Sequence, residues 1–535
     1  MRAYQKRAIG HIASRAQVWH TWGMTKVTAV VESSKPAEPS KSYRTPCGVE
    51  REIAWTGGRG SVKVRVNADW LLVREHGLPT AEVFFTSYQA AGAKGSQGPR
   101  PVTFCFNGGP GAASAFLHLG TAGPKRLMFG ANGSMLPPPA RLVDNAESWL
   151  AFTDLVFVDP VGTGLSRTVA ESKLEQQGVD GDDEKTTKRT KELPDAKKPF
   201  FKVKRDIDVL AEFVTQWLNR FNRWDSPVSI AGESYGGFRV GKLVRALPER
   251  GVGLRAAVMV SPAMNFLGLI GGDYEPLPWI NTLPTMALSA AYHKKSRGKF
   301  AGMNTGQLRE FAVEFAEESL ASLLLRGSRT PDATRSRVLG TMADLIGLSR
   351  ELVERYNGRV PIEVFGRELL REEGLVCGLY DAAVTGHNVF PDREGTPNPD
   401  PTLGGLMSAF TGGMNTLLRR DLALVTDREY LLLGEEVWQW WQDDRMGGFW
   451  DRQLDCSDDV RYGLAMNPDL NLHIYHGWYD LVTAFHSSEQ SVSLMRLPPA
   501  LRKRVTLKNY DGGHMFYSWD KSRKSVAKDV AGVVE

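Results

Sequence analysis

The chain has 535 residues, 42% of them hydrophobic and 24% charged, with a net charge of +5. This ordinary globular composition suits a large core, or one core domain carrying a big insertion. Nearly matched acids and bases leave no long single-sign surface, which argues against nucleic acid as a partner. Cys47, Cys105, Cys377 and Cys456 are scattered without ligand spacing. Neither a metal, a disulfide framework nor a cofactor is therefore expected.

Residues 1–47 read as a basic, flexible extension. Met1 to Lys26 carries no acid, which suits an organellar transit peptide, a disordered arm or a chain whose start is Met24. The opening lacks the apolar middle of a signal peptide, so the cytoplasm is the expected compartment. Ser61 to Val66 and Ala81 to Thr86 alternate polar and apolar residues around Glu75-His-Gly-Leu-Pro79, predicting an antiparallel hairpin. Pro101 to Phe106 and Asp154 to Asp159 are apolar runs that end in Asn107-Gly-Gly-Pro-Gly and Pro160-Val-Gly-Thr-Gly. Such runs suit parallel strands buried on both faces.

Residues 170–199 turn charged and lose periodicity, as a mobile surface excursion does. A helix follows, with Asp206 as its N-cap and Ile207, Leu210, Val214, Trp217 and Leu218 on one face. The apolar stretch Val228 to Ala231 then runs into Gly232-Glu233-Ser234-Tyr235-Gly236, and Arg255 to Val260 forms the next strand. From 263 to 455 helical stretches dominate (Leu308 to Leu325, Ala333 to Leu345, Glu429 to Trp441), predicting a mainly helical cap. Strand–helix pattern returns over 456–535 with Leu470 to Tyr475 and Arg504 to Lys508, so the core is expected to comprise 48–262 and 456–535. The most apolar run, Ala256 to Ile270, is interrupted by Ser261, Pro262 and Asn265 and is too short for a transmembrane segment.

Gly232 to Gly236 is the layout of a nucleophile elbow, in which a strand ends, a serine sits at the apex and a helix begins. In a glycine-rich chain the pattern is weak alone. Its support comes from Asp480 and His514, each after one of the last two strands. Ser…Asp…His is the chain order of α/β-hydrolases. The chemistry needs all three residues. The hydroxyl is a poor nucleophile until an imidazole takes its proton, and a buried carboxylate fixes the tautomer and stabilises the imidazolium. His486 is a rival base, but it lies just past the acid in the next predicted helix. Asp511 precedes His514 too closely to reach its ring, and His118 and His476 read as packed side chains. The Asn107 loop supplies backbone N–H groups for an oxyanion hole, with the N–H of Tyr235 as second donor.

Asn107-Gly-Gly-Pro-Gly, Asp159-Pro-Val-Gly-Thr-Gly, Gly232-Glu-Ser-Tyr-Gly, Gly477-x-x-Asp480 and Gly513-His514-Met515 resemble the serine carboxypeptidase family, most closely its bacterial branch. The resemblance implies an α/β-hydrolase fold, with a mostly parallel central sheet and a large helical cap insertion. It also implies hydrolysis at a peptide's C-terminus through an acyl-enzyme. Carried over, Ser234 is the nucleophile, His514 the base and Asp480 its orienter. Gly109 and Tyr235 give the oxyanion-hole amides, and Asn107, Gly108 and Glu233 hold the terminal carboxylate.

Three positions depart from the family. Cys105 stands where secreted eukaryotic members have tryptophan. Ala112 replaces a cysteine, so that family disulfide cannot form. Thr121 stands where an acid would pair with Glu233. Two carboxyls sharing a proton let a terminal carboxylate bind at acid pH. Without that pair, a weaker preference for a free C-terminus and a less acidic optimum are expected. The expected partner is a peptide or small acyl substrate, and a homo-oligomer is compatible with these residues. The alternatives are an esterase or acyltransferase using the same triad, and a catalytically inactive homologue that serves as a binding module.

Overall fold

The computed structural model describes residues 43–57, 60–91, 99–177, 193–397, 399–441 and 454–535. Most of the expected N-terminal extension and the middle of the charged excursion, 178–192, lie outside the described residues. The flank of that excursion is helical, Val169–Gln177.

Nine strands of one sheet position the site. They are β1 (Val49–Gly57), β2 (Gly60–Glu75), β3 (Leu78–Ala90), β4 (Val102–Phe106), β5 (Asp154–Val158), β6 (Val228–Glu233), β7 (Leu254–Val260), β8 (Asn471–Gly477) and β9 (Val505–Tyr510). Their order is β1-β2-β3-β5-β4-β6-β7-β8-β9, with the short segment Arg167–Thr168 beside β3. β1, β2, β3 and β5 pair antiparallel, and β5 through β9 pair parallel. The predicted hairpin is present and longer than its alternating runs, since β2 and β3 stay paired from Val64↔Ala90 to Glu75↔Leu78. Every residue of β4 and β5 is buried, as expected for strands covered on both faces.

Alternate residues of these strands enter two cores. On one face Phe104, Val156, Ile230 and Met259 pack against α1 (Val203–Phe221) and α2 (Tyr235–Ala246) through Leu210, Trp217, Phe238 and Leu243. On the other, Cys105, Phe157, Ala231 and Val258 belong to a core shared with Trp149, Phe410, Val526 and Val530.

The stretch between β7 and β8 contributes to three cores. Helices α3 (Leu277–Tyr292), α4 (Thr305–Phe315) and α5 (Asp332–Ile346) bury their apolar stripes against each other, with Leu481 and Phe485 reaching in from just past β8. Later segments join the sheet instead: Leu406, Phe410 and Met414 on one face, Val437 on the other.

Asp206 is not an N-cap. α1 begins at Val203 with Lys202 in the cap position, and Asp206 sits buried in the first turn, ion-paired to Arg239. The periodicity locates the helix and its buried face. It does not reveal the role of the acid, because a buried partner on α2 leaves no local trace in the sequence.

At the β6–α2 junction Ser234 has φ +62° and ψ −124°, a strained conformation for a residue with a side chain. Close packing holds it there. A Cβ on Gly232 would lie 2.0 Å from the Gly236 carbonyl oxygen, and one on Gly236 would lie 2.2 Å from the Phe106 carbonyl oxygen. Gly232→Ala is therefore expected to lower unfolding stability by about 1–3 kcal/mol through overpacking. The check is a lower urea midpoint at unchanged slope.

Candidate active site

Ser234 sits at the end of β6, Asp480 just past β8 and His514 just past β9. His514 Nδ1 lies 2.8 Å from Asp480 Oδ2. The other carboxylate oxygen accepts from the backbone N–H groups of Val482 and Thr483, both at 3.0 Å. Thr483 Oγ1 lies 2.6 Å from Asp480 Oδ2 and 3.0 Å from His514 Nδ1. The Asp480 carboxyl is thus buried and saturated with donors. Burial raises its pKa, but the His514 charge and these bonds outweigh that and hold it below the usual carboxylate range. Burial presses the His514 imidazole down, yet the adjoining Asp480 carboxylate leaves it above its ordinary value.

The end of β7 ties Ser234 to His514. Ser234 N–H donates to Val260 O at 3.0 Å, and Ser234 O accepts from Ala263 N–H at 3.1 Å. Ser261 Oγ donates to His514 O at 2.8 Å, while Ser261 O accepts from Thr483 Oγ1 at 2.9 Å. Ser234 is partly exposed, and its hydroxyl makes no hydrogen bond with the His514 ring among the described residues. Such contacts commonly tighten only when substrate enters.

A segment from the region between β7 and β8 clamps the loops that carry Asp480 and His514. Leu379 O accepts from Leu481 N–H at 3.2 Å, Ala382 N–H donates to Tyr479 O at 2.9 Å, and Tyr380 O accepts from His514 N–H. Asp381 Oδ2 accepts from Gly513 N–H at 2.9 Å and Trp519 Nε1–H at 3.0 Å. Tyr380 meets the His514 ring edge-on, with centroids 5.1 Å apart. Burial pushes the Asp381 carboxyl up to about 7, against the hydrogen bonds it accepts. Sequence reasoning missed Tyr380, Asp381 and Thr483, since no spacing pattern links them to the triad positions.

The Asn107 loop packs against the elbow. A Cβ on Gly108 would fall 2.5 Å from Tyr235 N, so only glycine allows this approach. Gly109 has φ +96°. Tyr235 opens α2, where the first N–H groups have no partner within the helix. Among the described residues the N–H of Gly109 donates to no protein acceptor.

Glu233 is fully buried. Its carboxyl accepts from Asn107 Nδ2 at 2.8 Å and from the Tyr517 hydroxyl, 2.9 Å from Oε1 and 2.8 Å from Oε2. The hydroxyl of Thr121 is buried without a hydrogen-bond partner among the described residues. A phenol three residues past His514, not a carboxyl, therefore accompanies Glu233. Burial raises the Glu233 pKa, against the His514 charge and the Tyr517 and Asn107 bonds.

The other histidines lie elsewhere. His118 Nε2 is 2.8 Å from the Tyr88 hydroxyl, and the ring stacks on Phe157; burial lowers its pKa to about 3. His476 Nε2 is 2.9 Å from Ser488 Oγ. His486 pairs with Glu489 at 3.1 Å within α6 (Phe485–Leu494), and Asp511 meets Lys521 at 3.1 Å. Among the described residues no cluster of His, Cys, Asp and Glu could hold a metal ion, and no helix is long and apolar enough to cross a membrane.

The strand order, the strained serine between β6 and α2, and an acid and a histidine after the last two strands define an α/β-hydrolase. Residues 59–282 match the family model described as serine carboxypeptidase. It is similar to a pheromone-processing carboxypeptidase kex1 of Aspergillus niger, 29% identical over 193 residues, covering 36% of this chain and 25% of the relative. It is also similar to serine carboxypeptidase-like 28 of Arabidopsis thaliana, 29% identical over 181 residues, covering 33% and 31%. The chain spans less than a third of the length of these curated relatives.

If His514 serves as the base it acts in its neutral form, and its pKa is raised beside Asp480. Activity should therefore fall as pH drops through a point above about 6.5, the ordinary imidazole value. In Asp480→Asn the carboxylate that raises it is gone. The acid limb of kcat/KM should move to lower pH while kcat falls roughly 10⁴-fold; pH–rate profiles of the two proteins check both.

Proposed function

We propose that the protein is a serine carboxypeptidase that cleaves peptide bonds at the C-terminus through an acyl-enzyme. The observation that carries this reading is the His514–Asp480 contact at 2.8 Å, together with the strained Ser234 at the elbow and the Gly108 backbone packed against Tyr235 N. Ser234 Oγ attacks the scissile carbonyl carbon as its proton passes to His514 Nε2. Asp480 stabilises the resulting imidazolium, and the two N–H groups receive the charge forming on the carbonyl oxygen. Collapse expels the amine, which takes the proton from His514 and leaves Ser234 acylated. Water, deprotonated by His514, then attacks the ester, and the proton returns to Ser234 as the acid product leaves.

The terminal carboxylate is proposed to lie against Asn107, the N–H of Gly108 and Glu233. Glu233 can donate to it only when protonated. When ionised, it repels the substrate's charge. A second reading keeps the same three residues for ester hydrolysis or acyl transfer. In its favour, both Glu233 oxygens already accept bonds from Asn107 and Tyr517. Turnover of matched amide and ester substrates separates the two. A cytoplasmic setting is proposed from the four unpaired cysteines, which suit a reducing compartment.

A fluorophosphonate probe should label the protein covalently, and Ser234→Ala should abolish the labelling. An unlabelled parent protein would point to the inactive binding homologue. Free-acid and amidated peptides compared from about pH 4 to 8, spanning carboxyl and imidazole titration, should show modest selectivity for the acid that fades as pH rises. Strong selectivity peaking at low pH would count against the weak-preference reading. Tyr517→Phe removes a donor that favours the Glu233 carboxylate, so its residual selectivity should extend to higher pH.

A further inference from the structure

Arg239, on α2 one turn past the elbow, is fully buried. Its Nε–H donates to Asp206 Oδ2 at 2.8 Å and its Nη2–H to Asp206 Oδ1 at 3.2 Å. The remaining nitrogen, Nη1, donates to the carbonyl oxygen of Asn107 and, at 3.4 Å, to that of Gly108. The guanidinium also lies over the Tyr235 ring, 5.0 Å from its centroid. One side chain therefore holds two successive carbonyls of the glycine loop and packs on the residue whose N–H is the second oxyanion donor.

A peptide group is planar and trans, so its N–H points opposite to its C=O. Fixing the Asn107 and Gly108 carbonyls toward the guanidinium turns the N–H groups of Gly108 and Gly109 away from it. Ala112 N–H also donates to Gly108 O, at 3.0 Å, so the Gly108–Gly109 peptide is held from two directions. The loop needs such restraint. Gly108 and Gly109 have no side chains to anchor them, and glycine ranges widely over backbone conformations. A buried ion pair adds little net stability over apolar packing of the same volume, so stability alone is a poor account of a charged pair here.

We propose that Arg239, oriented by Asp206, is the positioning residue of the oxyanion hole, aiming the Gly109 N–H at the oxygen of the tetrahedral intermediate. The guanidinium sits behind the loop and touches no reacting atom. Its planar fork suits the task, because two nitrogens grip the carboxylate while the third reaches the loop. Lysine could supply the charge but not both grips.

This inference rests on the acyl-enzyme reading, and the experiment separates the two. An ester and its thionoester, identical apart from C=O and C=S, are turned over by the wild type, Arg239→Met, Arg239→Lys and Asp206→Asn, with circular dichroism as the fold check. Sulfur accepts hydrogen bonds poorly, so the thionoester gains little from the hole. In Arg239→Met kcat for the oxo ester should fall roughly 10²–10³-fold, the effect of losing one donor. KM should stay within about twofold, because the positioned donor acts on the transition state. The thionoester should lose far less, so the oxo-to-thiono ratio collapses. Arg239→Lys and Asp206→Asn should give intermediate ratios, and they decide the matter if Arg239→Met does not fold. Parallel losses on both esters in the folded variants, or an unchanged ratio, overturn the assignment while leaving the acyl-enzyme reading intact. A wild type that neither turns over the oxo ester nor labels at Ser234 overturns both.

Discussion

The close approach of three backbones at the elbow is the constraint on which the site depends. Gly232 and Gly236 let the start of α2 fold back against the end of β6 and against the Phe106 carbonyl of β4. A Cβ on Gly237 would lie 2.4 Å from Pro262, so the turn after β7 is pressed against the same corner. That compression holds Ser234 at a positive φ and sets the N–H of Tyr235 beside Gly108. It also brings Ser261 to the carbonyl of His514. Strain of this kind persists only when the surroundings over-determine it, and here three strand ends do so.

Around this corner the site is assembled from parts with different supports. Ser234 and the glycine loop rest on the sheet and on the Asp206–Arg239 pair. Asp480 and His514 rest on a segment that arrives from the region between β7 and β8, where Leu379, Tyr380 and Ala382 bond to the loops that carry them. Residues 431–434 serve the neighbouring glycine turns: Leu431 exchanges backbone bonds with Gly164, and Gly434 N–H donates to Gly111 O at 2.7 Å. The region between β7 and β8 therefore braces the loops at the sheet's carboxyl edge as well as forming a core of its own.

Much of this was legible in the sequence. The apolar strands, the glycine loops that end them and the Ser…Asp…His order were readable because each follows from local pattern or simple chain order. The residues that were missed act across the fold. Asp206 looks like a helix cap until Arg239 is seen behind it. Tyr517 looks like a core aromatic until its hydroxyl is found on Glu233. Asp381 sits in a stretch with no pattern, and its partners, Gly513 and Trp519, are remote in the chain. In the region between β7 and β8 the pattern marks α4 and α5 but neither α3 nor the helix Leu403–Asn415. The expected helix Glu429 to Trp441 is helical only over Glu435–Trp440, and amphipathic stripes do not say which surface they will cover. The family match likewise spans residues 59–282, which include Ser234 but neither Asp480 nor His514.

The order of these parts along the chain has a consequence for its synthesis. The serine and its glycine loop leave the ribosome first, then the long region between β7 and β8, then the acid, and last the histidine. On the proposed triad, the elbow serine has no base until Asp480 and His514 have emerged. The proposed chemistry then waits for the last strand, and that delay is written into the succession of strands.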